Sequence, residues 1–489
     1  MEALDALKEK ASDTALAVEM GGQTSFSKEE ENAVIRKVDL RLMPWLLVLY
    51  FFSQLDRGNL ANAVIMNTED QKSTMLFQLG ASGDDYNWAV TVFFFGYVGF
   101  EIPSNLLMSK FTPRLWLSRI CVTWGLCAAL MAATFNPASL MACRFFLGLS
   151  EAGLAPGLVL LLRYWYKQYE ISSRFATWYA ASGIATGFGG LIAYGVANMN
   201  GVGGLAGWRW LFILEGVPTI LAGILNMWLL PDYPQTCKWL SDREKEILIS
   251  RLPPTAPSMH QKKIQHSEII EAFSDYKVWI NMLTGTCQVT MLYASAYFTP
   301  SVIRSMGFVS TQAQLLSVAL GVLTSFWTVV INFSSDYFQE KGWHLIGSAV
   351  PGIICYALLA TIQTSLTPYQ RYGLLFLGTT VSSGVPIVLT WRAVLIGGTT
   401  KTAVVTAALG AAANIGGAIG GQIYRANDAP LYLTGHKILC ALLCAEVVFG
   451  FAHWYVSRDD EKRVRAERAE QDARQKALNE STKPLTTDA

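Results

Sequence analysis

The chain has 489 residues, 52% hydrophobic and 15% charged, with a net charge of +1, and a mean hydropathy of +0.30. Soluble domains carry roughly 25% charged residues, so this composition excludes an ordinary soluble enzyme and indicates an all-α membrane protein; the near-zero net charge gives no footing for nucleic acid binding. Of the eight cysteines, all but Cys237 fall in apolar segments, without a CxxC or a paired histidine, so neither a disulfide framework nor a metal site is expected.

Residues 1–41 are polar and charged and read as a disordered cytoplasmic tail. No cleavable signal peptide is visible there, because an apolar core of the required length is missing. Apolar runs long enough to span, at about 20 residues each, then fall near 42–65, 86–108, 115–135, 139–163, 174–198 and 209–230. They resume near 279–299, 314–334, 345–363, 372–392, 403–424 and 438–456. The pattern predicts twelve transmembrane helices in two six-helix bundles, 42–230 and 279–457. Between them lies a cytoplasmic linker, 231–278, in which Ser241 to Lys245 reads as a capped surface helix. A charged tail follows from Arg458, a solvated helix giving way to a disordered end. Placing both termini in the cytoplasm puts thirty of the 38 basic residues on that side, which is the orientation the positive-inside rule requires.

Two basic residues are left at membrane depth, and each has an acid on its own helix. Arg57 follows Asp56 in the first span; Arg144 precedes Glu151 by seven residues in the fourth, close to two turns of 3.6 and therefore on one face. Charges at this depth cost roughly 2.5–3.5 kcal/mol each on insertion scales. They are retained where they face a protein interior or a water-filled path, and these four groups can neutralise one another around a polar cavity, or lock the fold as buried ion pairs. Glu101, in the second span, is a further acid, acting in the site or partnering Lys110 and Arg114 at a gate. Tyr97 offers a hydroxyl one turn away or simply packs. In the second half the candidate cavity groups are uncharged: Gln288, Tyr293 and Tyr297, then Trp391, then Asn414 and Gln422. Glycines cluster in the fifth and eleventh spans, at 183, 187, 189, 190 and 195 and at 410, 416, 417, 420 and 421. Such stripes allow close helix packing and suggest two bundles that rock on each other. No nucleophile–base pair, Walker sequence or dinucleotide fingerprint is present, so neither an enzyme nor a nucleotide-driven pump is expected, and no cofactor beyond a coupling proton.

Six plus six helices with a cytoplasmic break resemble the major facilitator superfamily. Asp56-Arg57-Gly58-Asn59-Leu60-Ala61-Asn62-Ala63 resembles a first-helix signature of its anion:cation symporter family. Arg144 to Pro156 resembles that family's fourth-helix motif, and Gly207 to Pro218 the start of its sixth helix. Thr400-Lys401, Asn414-Ile-Gly-Gly and Asp428 to Gly435 resemble the fungal allantoate permease-like branch. The resemblance covers residues 38–457. It implies that Asp56 and Glu151 carry protons, that Arg57 holds a substrate carboxylate, that Arg144 serves gating and coupling, and that Tyr97 lines the cavity. Substrates of that branch are carboxylates such as allantoate, nicotinate, pantothenate and biotin. The chain departs from the family in the tenth helix, where two expected asparagines are Val394 and Leu395 and a final arginine is Thr402, so a less polar second half of the pocket is expected, suited to one carboxylate on an apolar or aromatic body. The expectation is a monomeric, plasma-membrane symporter whose partners are the lipid bilayer and a small organic anion, with Arg57, Tyr97, Arg144, Tyr293, Trp391 and Asn414 as substrate contacts. An exporter on the same site, or a nutrient sensor that has lost transport, remains open at this stage.

Overall fold

The computed structural model describes residues 26–167, 170–252, 266–396 and 399–481. Helix α1 (Lys28–Ile65) leads to α2 (Gly83–Lys110) and α3 (Pro113–Leu130). The fourth span is α4 (Pro137–Glu151) with α5 (Leu154–Trp165), the fifth is α6 (Ile171–Tyr179) with α7 (Ala181–Ala197), and α8 (Gly207–Leu229) ends the first half. The linker carries α9 (Asp242–Ser250) and α10 (His266–Ser274). The second half runs through α11 (Tyr276–Ser305), α12 (Ser310–Phe338) and α13 (Gly342–Thr361). It continues through α14 (Pro368–Gly378) with α15 (Gly384–Leu395), then α16 (Thr399–Gly420) and α17 (Leu433–Ser481).

Nine helical segments among the described residues are long and apolar enough to cross a membrane. Helices α2 and α11 are comparable in length and more polar, and α16 offers a shorter apolar stretch, Val404–Gly420. The polar residues Asn281, Gln288 and Tyr293 on α11 are buried against protein, and the two halves touch where α11 packs on α1, α16 on α2 and α12 on α7.

The expected disordered tail is corrected in part. Residues 1–25 lie outside the described residues, but Lys28 to Arg41 are helical and continuous with the first span. A capping box between Ser27 and Glu30 starts the helix, with Glu29, Glu30 and Glu31 in the first turn, where carboxylates favour the helix dipole. Tertiary partners supply the rest. Lys37 pairs with Glu244 of α9 at 2.8 Å, and Glu31 accepts from Lys167 at 2.7 Å and from the buried Arg251 at 2.9 Å. The Lys37 ammonium holds the Glu244 carboxyl below its ordinary value. This pair therefore supports the linker at neutral pH and is lost as the pH falls through that lowered value. The predicted capped helix at Ser241 is present, with its own Ser241–Glu244 capping box. The charged stretch after Arg458 is helical to Ser481.

Three spans are broken, and the breaks lie where the sequence pattern reads as continuous. In the fourth, Ala152 is non-helical and Gly153 takes φ +90°, a left-handed conformation that favours glycine. Irregular backbone at membrane depth is tolerated where it borders a cavity, and Leu154, Ala155 and Pro156, just beyond this break, do so.

The glycine stripes sit at helix crossings. Gly183 of α7 packs on Gly321 and Ser325 of α12, and Gly417 of α16 and Gly421 just past its end pack on Phe94 and Thr91 of α2, so both stripes join the first half to the second. Gly148 serves within the first half: a Cβ there would meet the carbonyl oxygen of Phe93 on α2. Gly148→Ala is therefore expected to cost about 1–3 kcal/mol through forced backbone separation, seen as a lower melting temperature of the purified protein; an unchanged melting temperature would contradict the close α2–α4 contact.

Candidate functional site

A cavity of about 1190 Å³, counting the open space at its mouth, lies between the two halves. Its mouth includes Arg163, Ile171, Phe175 and Thr406, at the end of the molecule where α1 begins and the linker packs. Its depth is lined by Ser53, Gln54 and Arg57 of α1, Tyr97 and Glu101 of α2, Tyr293 of α11 and Asn414 of α16.

Arg57 is the centre of this floor. Its Nε donates to Glu151 Oε1 at 2.8 Å, and the same oxygen accepts from Ser53 Oγ at 2.5 Å. Its Nη1 donates to the hydroxyl of Tyr293 from the opposite half. The guanidinium carbon lies 4.9 Å from the Tyr97 ring centroid and 5.1 Å from that of Phe93. Aromatic faces favour a cation at such range, by about 0.5–2 kcal/mol, without using its N–H groups, so the cage holds the head while leaving Nη2 without a hydrogen bond to the described residues.

Asp56 and Arg57 part company. One residue on an α-helix is about 100° of rotation, and Asp56 points away from the cavity into the first bundle. Its Oδ2 accepts from Trp124 Nε1 at 2.9 Å and Thr219 Oγ1 at 2.8 Å. Arg144 is buried and donates through Nε to the Ala89 carbonyl at 3.3 Å. Its guanidinium carbon lies 5.2 Å from the ring of Phe93, the ring that Arg57 also faces, and 5.9 Å from that of Tyr297. The structure thus brings the two arginines and Glu151 together around Phe93, but only Arg57 and Glu151 form an ion pair. The four-way neutralisation expected from the spacing is corrected accordingly, because Asp56 is held by neutral donors.

Tyr97, Tyr293 and Asn414 line the cavity as expected. Glu101 does too, accepting from Asn414 Nδ2 at 3.3 Å across the two halves. Arg114 instead faces Asp232 at 3.4 Å, and the Lys110 side chain lies outside the described residues. Trp391 is corrected: it is buried on α15, donating through Nε1 to Glu461 of α17 at 2.8 Å and packing edge-on against His453 at 4.3 Å. It does not reach the cavity, since its face of α15 turns to α17. Leu395 belongs to that same apolar cluster and the Val394 side chain lies outside the described residues. The second half contributes the apolar Val289, Leu292, Val385 and Leu389 to the wall beside Tyr293, Thr390, Thr406 and Asn414. Missed at the sequence level were Ser53, Gln54 and Phe93, which carry no distinctive spacing, and Arg163, which reads as a loop cation.

Two helical halves clasp a charged cavity that opens at one end. The profile of the Major Facilitator Superfamily matches residues 46–421. The chain belongs to the major facilitator superfamily. The MFS transporter prlL of a fungal species (strain NRRL 50135) is 34% identical over 428 residues, covering 86% of this chain and 85% of that protein. The MFS-type transporter cnsO of Penicillium expansum is 32% identical over 450 residues, covering 90% and 86%. A protein named "Putative tartrate transporter" from Agrobacterium vitis is 30% identical over 395 residues, covering 81% and 88%. Among solved structures, the inward-facing, unoccupied bacterial homolog of the human lysosomal transporter Spinster superposes with a TM-score of 0.63 at 14% identity, covering 90% of this chain and 99% of that one; this likeness is one of fold. The protein is an integral multi-pass membrane transporter and not an enzyme.

At the far end this MFS transporter is shut. Tyr86 donates its hydroxyl to the Tyr297 carbonyl at 2.8 Å, Asn87 Nδ2 to the Tyr424 carbonyl at 3.0 Å, and Thr91 Oγ1 to the Ala418 carbonyl at 3.2 Å. The hydroxyls of Thr68 and Ser310 also meet. Each bond joins the two halves, so each breaks when this end opens. Removing one is worth about 0.5–1.5 kcal/mol. Tyr86→Phe is therefore expected to raise the labelling rate of a reporter cysteine placed at Ile65, which is buried beside the recess at this end, by roughly 2- to 10-fold. An unchanged rate would mean that this bond does not hold the end closed.

Proposed function

We propose that this MFS transporter is a proton-coupled symporter of an organic monocarboxylate, moving it by alternating access across twelve spans. Both termini are placed in the cytoplasm, in the plasma membrane, with the protein working as a monomer. In that orientation the present arrangement faces inward. The observation that carries the reading is Arg57: a guanidinium at the cavity floor, held by Glu151 on one edge and aromatic rings on its faces, with Nη2 left for a ligand.

Arg57 binds a carboxylate through parallel N–H···O bonds, the geometry a guanidinium suits best. Glu151 already occupies one edge. A substrate carboxylate entering beside it places two anions on one cation, and the like charges favour proton uptake by one of them. Protonated Glu151 gives up its grip on Arg57 and turns it to the substrate, so proton and carboxylate bind together. Asp56 is a second proton carrier, behind the cavity. Arg144, flanking Phe93 and Tyr297, moves with the closed end and links its opening to the occupancy of Arg57. The walls of Tyr50, Phe175, Trp178, Tyr179, Val289 and Leu389 favour an apolar or aromatic body on the substrate.

The test is uptake into proteoliposomes of radiolabelled nicotinate, an aromatic monocarboxylate, against tartrate, a hydroxylated dicarboxylate. Accumulation of nicotinate above equilibrium with acid outside, collapsing with a protonophore, is expected. Accumulation unaffected by the pH gradient, or a preference for tartrate, would overturn the reading.

A further inference from the structure

Glu215, on α8, is 0% exposed, and neither of its carboxyl oxygens has a hydrogen-bond partner. It is not part of the cavity wall. One turn later, Thr219 places its hydroxyl 2.8 Å from Asp56 Oδ2 and 3.0 Å from the carbonyl oxygen of Glu215. Asn59, one turn after Asp56 on α1, is also fully buried; its side chain faces the Glu215 carboxyl at a geometry that falls short of a formed hydrogen bond. The remaining oxygen of Asp56 is unpartnered as well. Around this cluster α3 contributes Trp124, bonded to Asp56, and the thiol of Cys121, which donates to the Thr219 carbonyl at 3.4 Å. Helix α4 contributes Arg144 and Glu151, and Arg57 is turned into the cavity.

We propose that Asp56 and Glu215 form a proton-binding pair enclosed within the first bundle behind the substrate cavity, with Thr219 as the group that reads its state. An ionised carboxylate without a hydrogen bond, shut away from water, costs several kcal/mol, so Glu215 is held neutral in this arrangement and carries a proton. Two carboxyls in one enclosed space resist being ionised together and titrate as a pair. Thr219 has one hydroxyl proton. With Asp56 ionised the hydroxyl donates to Asp56. With Asp56 protonated it is free to turn to the Glu215 carbonyl, and the amide of Asn59, which faces Glu215, supplies that acid with a donor. A proton arriving at Asp56 thereby changes the link between α1 and α8 without touching the substrate. That Asp56 contributes to symport rests on the function proposed above; the proton binding of the pair does not.

The experiment is attenuated-total-reflection infrared spectroscopy of the reconstituted, substrate-free transporter over an acid-to-alkaline series, reading the C=O stretch of protonated buried carboxyls. Glu446, a second buried acid without partners, provides the control. Glu215→Gln is expected to remove one band that Glu446→Gln leaves in place, and Asp56→Asn and Thr219→Val are each expected to shift that band. Should Glu215→Gln not give a monodisperse protein, Glu215→Asp is expected to move the band instead of deleting it. A Glu215→Gln spectrum identical to wild type, a Glu215→Asp band that stays in place, or a Glu215 band indifferent to Asp56→Asn at every pH would overturn the pair. Because no substrate is present, failure of nicotinate uptake and failure of this measurement are separate results.

Discussion

Arg57→Lys is expected to abolish most carboxylate transport while leaving the protein folded. Lysine keeps the positive charge near Glu151 and the aromatic faces of Phe93 and Tyr97, so the fold retains an ion pair at the cavity floor. What it loses is the planar fork. In the wild type one edge of the guanidinium serves Glu151 and another Tyr293, and the rest remains for substrate. An ammonium is a point charge with three donors and cannot hold Glu151, Tyr293 and a two-oxygen ligand in that fixed geometry. A hydrogen bond to a charged group is worth about 1.5–3 kcal/mol, so losing one predicts a fall of roughly 10- to 100-fold in the initial rate of counterflow. Arg57→Ala goes further, because it strands Glu151 in a buried site, a loss of about 3–5 kcal/mol for a broken buried pair, and should also lower the melting temperature. Near-normal counterflow in Arg57→Lys would remove Arg57 from substrate binding.

The second large effect is a split. Glu151→Gln is expected to preserve exchange of labelled for unlabelled nicotinate within a few-fold and to lose accumulation driven by a pH gradient. Glutamine has the same length, and its amide oxygen still accepts from Ser53 and from Arg57 Nε, the two bonds that seat Glu151 now. The site therefore stays assembled. It can no longer take up or release a proton, so the carrier can move substrate only down its own gradient. Wild type should accumulate more substrate as the outer pH falls, and the variant should show no such slope. Loss of exchange and accumulation to the same extent would assign Glu151 a structural duty to Arg57 and not a proton.

Much of this transporter is legible in its residues because the bilayer leaves little choice. A span needs its length of apolar residues, so the helical runs and the polar linker between the two halves can be read directly. The cost of Asp56, Arg57, Arg144 and Glu151 at membrane depth draws attention to the first half for the same reason, and of the four it is Arg57 that lines the cavity. Glu101 was ambiguous between gate and site, since sequence spacing places it near Lys110 and Arg114. Its partner, Asn414, is 313 residues away, and nothing local encodes such a meeting.

Composition also misjudged elements whose partners are distant. Lys28 to Arg41 look like a solvated tail until Glu244, Lys167 and Arg251 are brought beside them. Trp391 looks like a pocket aromatic until α17 supplies Glu461 and His453. Residues 394 and 395 suggested a less polar second half of the pocket, but the side chains that line it there are others, Val289, Leu292, Val385 and Leu389 with Tyr293, Thr390, Thr406 and Asn414.

The amino-acid sequence by itself determined that this is a helical membrane transporter of the major facilitator superfamily with charges buried in its first half. The helical membrane character and the buried charges follow from hydropathy, spacing and cost, which add up along the chain, and the superfamily from motifs that the chain shares with it. Only the tertiary structure decided which charge faces what. Neighbours on a helix diverge by about 100°, so Arg57 turns to Glu151 and the cavity while Asp56 turns to Trp124, Thr219 and the acid at 215. Which end is shut was likewise a tertiary outcome, because it depends on hydrogen bonds between helices that lie hundreds of residues apart.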